Sequence, residues 1–140
     1  MTVDSADPAC APRGVIDADE LGAWLRLLET PKLGRESARK LLAAFGSPQA
    51  AIDASTAARR QVISAAPAAA LGAPSPELDA LIAATLAWLH ADVPEARYVL
   101  TLGDPAYPPL LLHSADPPLL LYAQGRIELL RADEIGRAHV

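Results

Sequence analysis

The sequence predicts a mainly helical domain followed by a short β-containing segment. Three observations carry this. Apolar residues recur at i, i+3, i+4 and i+7 behind cap residues up to about residue 91, the signature of amphipathic helices. Past Pro94 the period changes to alternation, the signature of a strand. Alanine supplies 30 of the 72 apolar residues in a chain of 140, leaving 42 with bulk, of which 22 are leucine. Alanine propagates helix well and fills little space, which favours small helical packing over a thick sheet sandwich. A length near ~150 is a prior for one domain or two small ones.

Residues 1–16 hold Pro8, Pro12 and Gly14 without periodicity and read as a disordered leader. Asp17 with Glu20 three positions on caps a first helix, whose face is Leu21, Trp24, Leu25 and Leu28. It should stop before Pro31, because the residue ahead of a proline is pushed out of helical geometry. After Thr30-Pro31-Lys32-Leu33-Gly34, a second helix presents Ala38, Leu41, Leu42 and Phe45, and Gly46 ends it. Ser47-Pro48 starts a third, short helix through Ile52. A fourth covers Thr56 to Ala65, with Pro67 as a helix break beyond it. Ser75-Pro76-Glu77 opens a last helix with Leu78, Leu81, Ile82, Thr85 and Leu89 on one face to about His90. Ala96, Tyr98, Leu100 and Leu102 alternate with Arg97, Val99 and Thr101 in a first strand. Five prolines between 105 and 118 mark a rigid loop with one short helix at Pro109 to His113, and Pro118 to Ala123 reads as a second strand ended by Gly125. Two strands are marginal alone, so Val99 to Leu102 and Leu119 to Tyr122 are expected to expose apolar faces.

Several classes are excluded. The longest strongly hydrophobic runs are triplets such as Leu110 to Leu112, against the ~18 residues of a membrane span. The acidic, polar start lacks the basic and apolar regions of a signal peptide, so a cytoplasmic protein is expected. Cys10 has no partner cysteine, and His90, His113 and His139 share no ligand spacing, so neither disulfide nor metal site is expected. With 4% aromatic residues, extensive base-stacking surfaces are not expected either. No phosphate loop, nucleophile elbow or zinc-protease element is present, and no cofactor is expected.

The net charge of −5 is unevenly placed. Residues 1–30 balance at −4, residues 31–60 at +4 and the remainder at −5. The basic segment coincides with the turn between the first two helices, the layout of a helix-hairpin-helix element, in which turn N–H groups and the second helix's N-terminus can meet a phosphate. Lys32, Gly34, Arg35, Arg39 and Lys40 are the candidate DNA-binding residues. The alternative is the solvated face of an ordinary helix, with Glu36 and Lys40 as an i, i+4 pair. The turn reads Lys32-Leu33-Gly34 where such hairpins usually have glycine at both ends. Asp104, His113 and Asp116 share the proline-rich loop, but Asp104-Pro105 and Asp116-Pro117 fit turn initiation, and no catalytic residue is assigned. Tyr107 and Tyr122 read as packing residues with a hydrogen-bonded hydroxyl.

The string from Leu100 to Leu111, with Asp104, Tyr107 and Pro108, followed by Asp116-Pro-Pro-Leu-Leu-Leu-Tyr-Ala-Gln-Gly125, closely resembles the start of the Rossmann-like domain of the DprA/Smf family. Asp104, Tyr107, Pro108, Leu111, Asp116, Pro117, Pro118, Leu121, Tyr122 and Gly125 fall on that family's pattern in order, as structural motif residues. Trp24-Leu-Arg-Leu, Ala38-Arg-Lys-Leu-Leu and Phe45-Gly-Ser-Pro are similar to its helical domain. The resemblance covers about residues 18–133. It implies a helix-hairpin-helix (SAM-like) domain at 17–92 and, at 93–133, the first strands of a truncated Rossmann-like α/β domain. It implies a non-enzymatic recombination mediator of natural transformation that binds single-stranded DNA and loads the RecA recombinase, with the main DNA pocket at a Val-Gly-Ser-Arg type turn that these 140 residues do not contain. Oligomeric state is not legible, a homodimer being left open. Two other readings stay open: a fragment of a Rossmann-like nucleotide-hydrolysing enzyme, since fold does not settle function, and a helical protein-interaction module that never touches DNA. Residues 134–140, Glu-Ile-Gly-Arg-Ala-His-Val, read as the translation of a widely used sequencing adapter, so native sequence is expected to end near Asp133 and His139 to carry no functional weight.

Overall fold

A computed structural model describes residues 16–127; the leader up to residue 15 and the stretch 128–140, including the adapter reading, lie outside the described residues. The described chain falls into a helical unit, Asp17–His90, and a β-containing unit from Ala91 onward.

In the helical unit, α1 (Ala18–Glu29) starts where Asp17 Oδ1 accepts the Glu20 N–H at 2.7 Å, which satisfies one of the four orphan amides of a helix start. It ends at Thr30, whose N–H and hydroxyl both donate to the Arg26 carbonyl. Leu21, Ala23, Trp24, Leu25 and Leu27 are all buried. The expected face is thereby corrected at one position: Leu27 is buried and Leu28 is 36% exposed. A helix contacted from several sides buries more than one stripe, and α1 packs against α2 (Arg35–Phe45), α3 (Pro48–Asp53) and α6 (Leu78–Leu89). Gly22 permits the α6 approach, since a Cβ there would lie 3.1 Å from Ile82 Cδ1.

Helix α2 ends at Gly46, which takes the left-handed conformation (φ 93°) that L side chains resist and donates its N–H to Leu42 O at 2.8 Å. Ser47 Oγ then caps α3 through the Ala50 N–H, with Pro48 in its first turn. The single helix expected over Thr56–Ala65 is two short ones, α4 (Thr56–Arg60) and α5 (Ala65–Ala70). Pro67 sits inside the first turn of α5 and does not break the helix there. Amides of a first turn have no intrahelical partner, so a proline in that turn forfeits nothing.

The break between α4 and α5 is organised by Arg59, only 2% exposed. Its guanidinium donates to the carbonyls of Ala51, Ile52 and Ala54 at the end of α3, to Ala68 O on α5 at 3.0 Å, and to Thr56 Oγ1 at 3.2 Å. The carbonyl end of a helix carries partial negative charge, and a cation there is stabilising.

In the second unit, β1 (Arg97–Thr101) pairs antiparallel with β2 (Leu120–Gln124), in the register Arg97 to Gln124 and Thr101 to Leu120. Leu102 N to Leu119 O and Gly125 N to Ala96 O extend the ladder at either end. The connection holds α7 (Pro109–Leu112). The expected exposure of apolar strand faces is corrected: Val99, Leu100, Leu119 and Leu120 are buried, and in these strands Tyr122, at 53%, is the large exposed side chain. The strands pair with each other, and the connecting loop, with Ala106 and Tyr107 also buried, is tied back by the Tyr107 hydroxyl on Pro118 O at 2.8 Å.

Truncating Arg59 leaves buried carbonyls without donors. Arg59→Ala is expected to destabilise the helical unit by about 2–4 kcal/mol, read as a lower urea midpoint by circular dichroism. A loss under ~0.5 kcal/mol would show that the carbonyls find other partners.

Candidate nucleic-acid interface

The hairpin between α1 and α2 is built around Leu33, a buried apolar anchor between exposed neighbours. Its N–H donates to Thr30 O at 3.3 Å, closing the turn. Lys32 has φ 67°, and no other non-glycine residue among the described ones has positive φ. The hairpin therefore carries a lysine on a left-handed backbone, the conformation that glycine adopts without strain. The backbone strain falls on Lys32, and its side chain is exposed to solvent.

Gly34 is the N-cap of α2, in extended conformation (φ −79°) and without a side-chain cap bond. A Cβ there would meet nothing within 4 Å, so this position is open to solvent. Of the cations, Lys32, Arg35 and Lys40 are exposed and Arg39 is half-buried. The candidate residues thus lie together on one turn and the α2 turns next to it. Glu36, in the first turn of α2, pairs with Lys40 at 3.7 Å, both side chains well exposed. That is the i, i+4 pair of the alternative reading, and it puts an anion inside the basic group.

The charge map needs one revision that no sequence signal flags. Arg59, counted in the basic segment, is buried on carbonyls and offers no surface charge. Aromatic rings are also withdrawn in this unit: Trp24 is buried, and Phe45 and Trp88 are half-buried.

The loop residues stand apart in the β-containing unit. Asp104 is buried, its Oδ1 accepting the Ala106 N–H at 2.8 Å and its carbonyl the Tyr107 N–H at 2.9 Å, an Asx-type turn. Pro108 and Pro117 are buried, Pro118 half-buried, and His113 and Asp116 exposed. Gly125 has φ 105° at the end of β2. No group of three or more metal-capable side chains occurs among the described residues, and no helix among them is long and apolar enough to cross a membrane.

Two helices joined by a tight basic turn, with four further helices closing the core, define a small domain of the helix-hairpin-helix class. Residues 18–80 match the DprA-like N-terminal HHH domain, a match that supports an N-terminal fragment of the DprA/Smf family. The match ends in the first turn of α6, and the β-containing unit lies outside it. No curated protein and no solved structure matches the chain.

Relieving the left-handed lysine has a measurable consequence. Lys32→Gly is expected to raise stability by about 0.5–1 kcal/mol, the smaller entropy of the unfolded lysine chain offsetting part of the relief. A fall in the urea midpoint would mean that the lysine side chain contributes packing that outweighs its backbone.

Proposed function

We propose that this chain is the N-terminal part of a DNA recombination mediator, which binds single-stranded DNA and loads the RecA recombinase during natural transformation. The observation that carries the reading is the HHH-domain match over residues 18–80, followed in the same chain by the Asp104 to Gly125 string that resembles the same family's next domain. In this reading residues 17–92 form the helical domain and residues 93–133 open the Rossmann-like domain, whose later part holds the main single-strand pocket. The buried, turn-forming Asp104 and the tied-back Tyr107 suit a scaffold and not an acid-base pair, which supports a non-enzymatic role. Lys32, Gly34, Arg35, Arg39 and Lys40 form an accessory DNA contact on the helical domain. The protein works in the cytoplasm, where incoming strands and the recombinase meet.

The test is the gene product read from the genomic locus past Asp133. It is expected to contain a Val-Gly-Ser-Arg type turn, to bind single-stranded DNA in a salt-sensitive manner, and to speed RecA assembly on a coated single strand. Residues 1–92 alone are expected to bind single-stranded DNA weakly, since affinity comes mainly from phosphate neutralisation. A Gly-Gly-x-Gly-Thr type loop with nucleotide turnover would overturn the reading in favour of an enzyme. Absence of DNA binding by the gene product would overturn it in favour of a protein-interaction module.

A further inference from the structure

We propose that α4 and α5 form a flap that opens from the helical unit as one piece, held shut by two arginines, and that opening brings Arg59 into solvent beside Arg60. The flap is independent of the mediator reading and goes beyond it.

Packing divides the helical unit unevenly. Helix α1 packs against α2, α3 and α6, and α2 against α3, whereas α4 and α5 pack chiefly against each other. Residues 56–72 bury Arg59, Ile63, Pro67, Ala68 and Leu71, so Ile63 and Leu71 supply most of the segment's buried apolar bulk. Helix α1 by itself buries Trp24 and three leucines. Stabilisation scales with the apolar area removed from water, which makes the α4 and α5 segment the more weakly held part. Helices of five and six residues do not persist alone in water, so the two lose their structure together once they leave the core.

Few hydrogen bonds cross the boundary of this segment. Where the chain enters it, Ser55 caps α4, its Oγ accepting the Ala58 N–H and its carbonyl the Arg59 N–H. Away from the chain connections the ties are guanidinium bonds. Arg59 donates to the carbonyls of Ala51, Ile52 and Ala54 at the end of α3, and Arg26 on α1 donates to Leu71 O at 2.9 Å. The Arg26 latch is the weaker, because its Nε is buried without an acceptor among the described residues, a desolvation cost that the closed form carries. Opening gives that Nε and the freed carbonyls water as a partner. It also brings out Arg59, 2% exposed when shut, next to Arg60, which is exposed already. The open form thus presents one surface cation more than the closed form.

Amide hydrogen exchange of the 140-residue chain in low urea tests the flap. The N–H groups of Ile63, Ala68 and Leu71, bonded within it, are expected to exchange at least ~10-fold faster than those of Leu25 and Leu41. Their urea dependence is expected to be shallower, because opening exposes less surface than global unfolding. Arg26→Met, which keeps the side-chain stem and removes the donor to Leu71 O, is expected to speed the flap amides a further ~10-fold while Leu41 changes by less than about twofold. Trypsin is expected to cut the folded chain after Arg59 or Arg60, faster in Arg26→Met by a similar factor. One rate and one urea slope for flap and core amides would overturn the proposal. So would equal acceleration of Leu41 by Arg26→Met, or a folded chain that trypsin leaves uncut at both arginines. If Arg26→Met loses its helical circular dichroism, the comparison of flap and core amides in the unaltered chain decides.

Discussion

One buried guanidinium holds the second half of the helical unit in place. The helices α3, α4 and α5 are five or six residues long, far below the length at which an isolated helix is stable in water. They are rich in alanine, so each buries little apolar volume. Arg59 compensates by bonding to the carbonyl end of α3, to Thr56 of its own helix and to Ala68 of α5. With those pieces fixed, α3 offers a surface to α1, and α1 carries the fully buried Leu21, Leu25 and Leu27. The hairpin leaves from the end of α1, so its geometry rests on this packing.

A buried cation with carbonyl partners also changes what the charge of the chain means. The cations of residues 31–60 divide into the internal Arg59, the exposed Arg60 at the end of α4 and a surface group around the hairpin. The surface group includes an acid, Glu36, paired with Lys40. The solvent therefore meets a modest basic patch on an otherwise acidic chain of net −5.

Much of this is legible in the residues, and the differences have physical causes. Asp17, Ser47 and Gly46 act as their positions predict, because capping is decided within four residues of sequence. The hairpin is legible from Pro31, Gly34 and the cations. Leu27 and Leu28 are exchanged because periodicity assumes a single buried stripe, whereas α1 has neighbours on several sides. The division into α4 and α5 escapes local rules because Arg59 joins residues up to nine apart, and no local rule anticipates that reach. The left-handed Lys32 is not legible from lysine's own preference, which disfavours that conformation. The strands read as apolar ribbons open to solvent, and the Tyr107 to Pro118 bond across eleven residues lies beyond the pattern.

The DNA contact proposed for this domain is the turn and the first residues of α2. Amide hydrogen exchange of the chain with and without saturating DNA tests it residue by residue. The account predicts slower exchange confined to residues 31–40, fading as salt is raised. Unchanged exchange in that segment at saturation, with slowing elsewhere in the helical unit, would contradict it.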